Sequence, residues 1–273
     1  MTPEQHDEQQ DERHDKFAPA GKRARPFKGL PFNKMIPNMI TLLALCAGMS
    51  AIRFGFEGRW ELAAFSIVAA AILDTLDGRV ARFLKGSSKF GAELDSLADF
   101  ISFGVAPGIM LYLWALQDSG RFGWILALVF ASCMALRLAR FNTLLDDPNA
   151  PAWKAYFFTG TPAPAGAGLA LLPIVLSFQI GDDIVRRPEV VSVVLIATSV
   201  LVVSRVPTFS FKKLKIPGPW VMPTLVAFVV LVAASFSAPW ATLTCVLIFY
   251  IISMPFSIRK HAILSKGSEE EQA

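Results

Sequence analysis

Charge is scarce in this 273-residue chain: Asp, Glu, Lys and Arg together make up 18% of it, against 53% hydrophobic residues and a mean hydropathy of +0.48. That excludes a soluble monomer built around one core, because apolar material exceeds what such a core would use. Cysteine is equally sparse. Cys46, Cys133 and Cys245 lie in three different apolar runs without CxxC or Cys/His spacing, so they read as small buried hydrophobes and say nothing about redox compartment. The first 35 residues lack any uninterrupted apolar run and mix charges of both signs, which excludes a cleaved signal peptide and predicts a disordered cytoplasmic tail. The net charge of +4 and pI near 9.0 do not imply nucleic acid, since the interior basic residues sit beside apolar runs instead of interleaving with polar surface.

What the chain has in abundance is apolar stretches of bilayer length. A spanning helix needs about 20 mostly apolar residues, because lipid offers the backbone no hydrogen-bond partners. Eight such stretches are expected, at 36–55, 61–82, 95–116, 122–140, 159–179, 189–205, 219–236 and 239–257, separated by punctuation such as Phe56-Glu57-Gly58-Arg59. The predicted class is an all-α, polytopic membrane helical bundle with both termini cytoplasmic. That orientation gathers twenty Lys/Arg on the cytoplasmic side and leaves only Arg59, Arg121, Arg186 and Arg187 opposite. Trp60, Trp124 and Trp240 then fall near the outer boundary, where aromatic anchors belong. The domain layout is a tail over 1–35, a transmembrane domain over 36–258 with its core mainly in 36–205 and two further helices in 219–257, and a cytoplasmic tail over 259–273.

Most spans carry no acid, yet Asp74 and Asp77 lie near the inner end of the second and Asp95 and Asp99 open the third. Spacings of three and four keep each pair on one helical face, and the short connection through Arg82–Gly91 predicts antiparallel neighbours. Four carboxylates can then meet at one depth. Unpaired, they would repel one another and suffer desolvation, so they must bind cations or hold protons. Oxygen ligands without a nearby histidine suit Mg²⁺ or Mn²⁺ above Zn²⁺, and four carboxylates suit two ions. The bland alternative is helix capping by the same aspartates, paired with Arg79, Arg82 and Lys89. Gly78 and Gly91 flank the cluster and either admit a bulky phosphate group or serve close helix packing.

The stretch Asp74-Thr-Leu-Asp77-Gly78-Arg-Val-Ala81-Arg82, then eight residues, then Gly91-Ala-Glu-Leu-Asp95-Ser-Leu-Ala-Asp99 fills every defined position of DxxDGxxARx8GxxxDxxxD. It resembles the signature of the CDP-alcohol phosphotransferases. That resemblance implies a binuclear metal site gripping the diphosphate of a CDP-linked donor while an acceptor hydroxyl displaces CMP. It implies Asp74, Asp77, Asp95 and Asp99 as metal ligands, Asp99 also as general base, and Gly78, Ala81, Arg82 and Gly91 as the lining of the CDP pocket. Further text is similar to the membrane-integral, serine-accepting branch of the family: Pro37-Asn38-Met-Ile-Thr41, the run from Asp99 through Gly104 to Pro107, Arg137-Leu-Ala-Arg140-Phe-Asn142, Gly160-Thr-Pro162-Ala-Pro164 and Ser204-Arg205-Val-Pro207. The likeness covers about residues 30–260. It implies CDP-diacylglycerol and L-serine as substrates, a homodimer, and a site facing the cytoplasm from the inner membrane. The paired HxKx4D motifs of an unrelated serine-using class are missing: His14-Asp15-Lys16 is followed by Gly21 where Asp would be required.

Several residues carry two readings. Arg137, Arg140 and Asn142 could form an anion fork for the serine carboxylate or a lipid phosphate, with Arg140 favoured, or could be positive-inside anchors. Asn38 and Thr41 could touch nucleotide, or Asn38 could only start the first helix. Lys212, Lys213 and Lys215 could steer anionic lipid or only set topology. Glycerol 3-phosphate, inositol phosphate and choline are rival acceptors, and a divalent-cation transporter is the rival of a different class.

Overall fold

The computed structural model of the chain describes residues 32–84, 86, 88–145, 157–204, 207–209 and 218–270. The expected N-terminal tail up to residue 31, Arg205 and the basic group Lys212, Lys213 and Lys215 lie outside the described residues.

Helix α1 (Phe32–Phe56) and helix α2 (Trp60–Phe83) are joined at the Phe56–Arg59 punctuation, where Gly58 takes φ +70°, a conformation open to a residue without Cβ. Helix α3 (Lys89–Asp99) starts at Ser88, whose Oγ accepts the Gly91 N–H at 3.0 Å as an N-cap. Directly after Asp99 the helix loosens into a π-helical turn, Phe100–Val105. It continues through α4 (Ala106–Leu111), a second π-helical turn (Tyr112–Leu116) and a 3-10 turn (Gln117–Ser119). Gly120, with φ +57°, breaks the rod, and α5 (Gly120–Leu145) packs back along Phe100–Leu116.

Helices α6 (Ala163–Ala170) and α7 (Leu172–Ile180) meet at 44°. The bend falls at Leu171, ahead of Pro173, and not at Pro162 and Pro164. Those two sit at the start of α6, where a missing N–H leaves no helical bond unmade. The short α8 (Asp182–Val185) leads to α9 (Pro188–Val203), then α10 (Val221–Ser237) and α11 (Pro239–Glu270). One departure from an all-helical chain is a two-stranded pairing of β1 (Phe157–Thr159) with β2 (Pro207–Phe209), antiparallel. Three residues are too few for alternation to register in the sequence.

Among the described residues, two helical runs can cross a membrane by length and composition, Met35–Phe56 and Lys89–Thr143, or three if α6 and α7 count as one bent span. This is fewer than the eight stretches read from hydropathy, for identifiable reasons. Helix α2 carries Glu61 and its own Asp74, Asp77, Arg79 and Arg82. Helices α9 and α10 have 16 and 17 residues, just under a full crossing. The run from Lys89 to Thr143 contains two expected stretches, folded against each other at Gly120.

Phe103, Met110, Leu111, Phe130, Met134, Ile174 and Leu195 form the buried centre. Large apolar side chains also cover the outside, and α10 has no buried residue at all, with Phe228, Val229 and Val230 all exposed. Apolar surface of this extent fits a lipid solvent. The same inversion corrects the reading of the cysteines: Cys46 and Cys245 are exposed and only Cys133 is partly covered.

Candidate active site

Helix α1 packs along α2 and also against α3, so it fixes the distance between the two acid-bearing faces as much as their short connection does. At Gly48 of α1 a Cβ would collide with Ser102 of the π-helical turn, and Ser102 Oγ donates to the Ala44 carbonyl at 3.3 Å. This close approach anchors the segment that follows Asp99. A loosened turn beside a chemical group is a recurring feature of functional helices.

Asp74, Asp95 and Asp99 each present a carboxylate oxygen such that all three lie within 4.8 Å of one another. Asp77, only 4% exposed, stands outside this trio, with Thr41 Oγ1 donating to its Oδ2 at 2.6 Å. Three of the four implied metal ligands therefore converge, and the fourth is held beside them by the first helix. The capping alternative gains no support, because the ion pairs among the described residues join Arg53 and Arg59 to Glu57 and Arg186 to Asp182, all away from the cluster. A trio of hard oxygen donors that joins no ion pair among the described residues fits a divalent ion.

Beside the trio opens a cavity of ≈ 310 Å³. Asn38, Thr41, Asp77, Gly78, Ala81, Arg82, Gly91 and Asp95 line it, joined by Pro37, Gly86, Ser88 and Ala92. Every residue expected at the nucleotide pocket is in this wall, and Asp95 belongs to both the wall and the trio. The two motif glycines serve different ends. A Cβ on Gly78 would meet nothing nearer than Arg82 Nη1 at 3.8 Å, so its missing side chain leaves open space. A Cβ on Gly91 would stand 2.8 Å from Asn38 Oδ1 and 3.2 Å from Ser88 Oγ, so this glycine lets α1 close on α3.

Arg137, Arg140 and Asn142 are not in that wall. Arg140 Nη1 donates to the Val203 carbonyl at 2.9 Å and Nη2 to the Ser204 carbonyl at 3.4 Å, closing the C-terminus of α9. Asn142 Nδ2 donates to Ser96 Oγ at 2.9 Å and ties α5 to α3. Arg137 Nε donates to the Thr161 carbonyl at 2.7 Å. Sequence reasoning passed over Ser88 and Thr161. A serine three residues ahead of Gly91 at a helix start was a legible cap, whereas the Thr161 contact, 24 residues from Arg137, left no local sign.

A second cavity, ≈ 350 Å³ and largely apolar, lies along another face of α2. Ile67, Ala71, Ile72, Thr75 and Arg79 face Pro164, Gly168 and Leu247 across it.

Acid-bearing apolar helices that meet beside a cavity of this lining present a carboxylate site suited to a divalent ion, with room beside it for a ligand. The model of the CDP-alcohol phosphatidyltransferases matches residues 34–204, and the chain belongs to that family. Among curated proteins, it is 38% identical over 236 residues to the CDP-diacylglycerol--serine O-phosphatidyltransferase of Mycobacterium tuberculosis strain H37Rv, covering 86% of this chain and 82% of that one. The protein of that name from Mycobacterium leprae is 37% identical, covering 86% and 78%. That from Helicobacter pylori strain 26695 is 34% identical, covering 82% and 91%.

Proposed function

We propose that this chain transfers the phosphatidyl group of CDP-diacylglycerol to the hydroxyl of L-serine, releasing CMP. The observation that carries the reading is the sharing of Asp95 between the carboxylate trio and a cavity lined also by Asp77, Gly78, Ala81, Arg82 and Gly91 of the motif, an arrangement suited to holding a donor diphosphate against the ligands of a cation. The names of the relatives, aligned over most of both chains, support serine as acceptor.

In the proposed reaction the serine Oγ attacks the phosphorus bearing the diacylglycerol, the new P–O bond forms, and the bond from that phosphorus to the bridging oxygen breaks, with CMP leaving on the electron pair. Asp99 takes the hydroxyl proton, a role fitted to a carboxylate at the end of α3 within the trio. Asp74, Asp77, Asp95 and Asp99 hold two divalent ions, Mg²⁺ or Mn²⁺, which when bound supply charge neutralisation for the diphosphate and the departing CMP. Gly78 leaves room for phosphate at the wall, Arg82 offers it a cation, and Thr41 orients Asp77. Asn38, beside Gly91, is placed to meet the nucleotide.

The lipid tails stay in the bilayer, and the apolar cavity along α2 suits one of them. In this reading all eight apolar stretches cross the inner membrane, with both termini and the active site on the cytoplasmic side, an orientation that the Lys/Arg asymmetry supports. The catalytic domain spans 36–258, and the working unit is a homodimer.

The test is CMP release by purified protein given CDP-diacylglycerol and Mn²⁺, comparing serine with glycerol 3-phosphate, inositol phosphate and choline. Serine-dependent release supports the proposal. Release with another acceptor would keep the family and overturn the acceptor, while folded protein releasing no CMP with any of them would return weight to ion transport.

A further inference from the structure

Arg137 is unlike the other described arginines of the bundle. Its Nε is fixed on the Thr161 carbonyl at 2.7 Å, and the Phe141 ring lies 6.0 Å from its guanidinium carbon. Its Nη1, however, is sealed from solvent and has no hydrogen-bond partner. A buried guanidinium N–H left unpaired costs free energy, and retention of such a donor is explained by a partner that arrives later. Arg140, one turn further along the same face, has both terminal nitrogens on backbone carbonyls and leaves no comparable donor.

The surroundings of Arg137 specify that partner. Asp99 and Asp74 are close enough to act on its charge, yet none of the ion pairs among the described residues joins it to either one. The guanidinium therefore stands near the carboxylate trio without being paired to it. An acceptor meeting both groups would carry a hydroxyl at one end, for Asp99, and an anion at the other, for Arg137. In serine the hydroxyl and the carboxylate are held a few ångströms apart on one short frame. A guanidinium fork fixed by packing and by one hydrogen bond is suited to a planar carboxylate.

We infer that Arg137 binds the carboxylate of the acceptor amino acid and so selects serine over acceptors that lack this charge. The inference rests on the phosphatidylserine-forming reading and adds to it the residue that recognises the acceptor. Nothing in the donor cavity involves Arg137, so donor binding and acceptor binding are separable.

The experiment compares wild type, Arg137→Gln and Arg137→Lys with serine and with serinamide, in which the carboxylate is neutral, at saturating CDP-diacylglycerol and Mn²⁺. Wild type should favour serine in kcat/KM. Arg137→Gln should raise the serine KM about 10- to 100-fold, the range expected for losing a charge-assisted hydrogen bond. The serine-to-serinamide ratio should collapse towards one, with an unchanged KM for CDP-diacylglycerol. Arg137→Lys, which keeps the charge but not the fork, should restore part of the ratio and serves alone if the glutamine variant does not fold. An unchanged ratio in whichever variant folds, or a KM for donor that rises in parallel with that for serine, would overturn the inference and leave Arg137 as a balance for the aspartates. Wild type that releases CMP only with an acceptor other than serine would overturn the acceptor reading itself, and the inference with it.

Discussion

Gly78 and Gly91 look equivalent in the sequence, each an invariant-looking slot of one spaced pattern, but their surroundings separate them. At Gly78 a methyl group fits, with Arg82 Nη1 at 3.8 Å as its nearest neighbour, and the residue lines the donor cavity. Gly78→Ala should therefore fold with an unchanged Tm while the KM for CDP-diacylglycerol rises several-fold. At Gly91 the methyl would press on Asn38 Oδ1 at 2.8 Å, so Gly91→Ala should lower Tm, and adding Asn38→Ala should recover part of the loss. Thermal unfolding and donor kinetics on these three proteins separate the two roles. Asp99→Asn keeps the size of the side chain but removes the base, and kcat for CMP release should fall about 10²- to 10⁴-fold in protein that still unfolds cooperatively. A variant retaining more than a tenth of wild-type activity would assign the proton to another group.

Among whole elements, the start of α3 and the end of α9 carry the clearest consequences. Ser88 caps α3 through the Gly91 N–H, and Ser88→Ala should cost about 1 kcal/mol of stability. Because Ser88 also lines the donor cavity, a modest rise in donor KM should accompany it. Arg140 closes α9 by two bonds to backbone carbonyls that would otherwise end the helix unpaired. Arg140→Met should lower Tm with little change in the serine-to-serinamide ratio, the reverse of the pattern at Arg137. The sequence could not rank these two arginines: they are three residues apart on one face, and their partners are Thr161 on one side and Val203 and Ser204 on the other. Contacts across 24 and 63 residues depend on how α9 packs on α5 and on α6, which has no local sequence signal.

At the scale of the whole molecule the expectations concern the ion and the membrane. Chelation with EDTA should abolish CMP release, and Mn²⁺ or Mg²⁺ should restore it, since three carboxylates within 4.8 Å of one another need a cation to hold a diphosphate beside them. Activity that survives complete chelation would remove the metal from the proposal. For topology, Cys46, Cys133 and Cys245 all belong to apolar helices, so none should react with a membrane-impermeant maleimide in sealed vesicles. A cysteine placed at Glu57 should react only from the outer side, and labelling from the cytoplasmic side would reverse the orientation read from Lys and Arg.

Much of this protein was decided by sequence alone. Helical periodicity and the fixed spacing of Asp74, Asp77, Asp95 and Asp99 set which carboxylates share a face, because side-chain direction along a helix depends only on residue number. Hydropathy decided the solvent, since a chain this poor in charge has no other place to put its apolar surface. Glycine at 58 and 120 marked real reversals, as positive φ favours residues without a Cβ. Tertiary structure decided the rest. It admitted three aspartates to one trio and gave the fourth to Thr41, because α1 packs between partners that no spacing rule names. It turned Cys46 and Cys245 outward, where apolarity in lipid no longer means burial. It also chose between two neighbouring arginines, leaving Arg137 a donor and Arg140 none, because a hydrogen bond is fixed by where distant carbonyls come to rest.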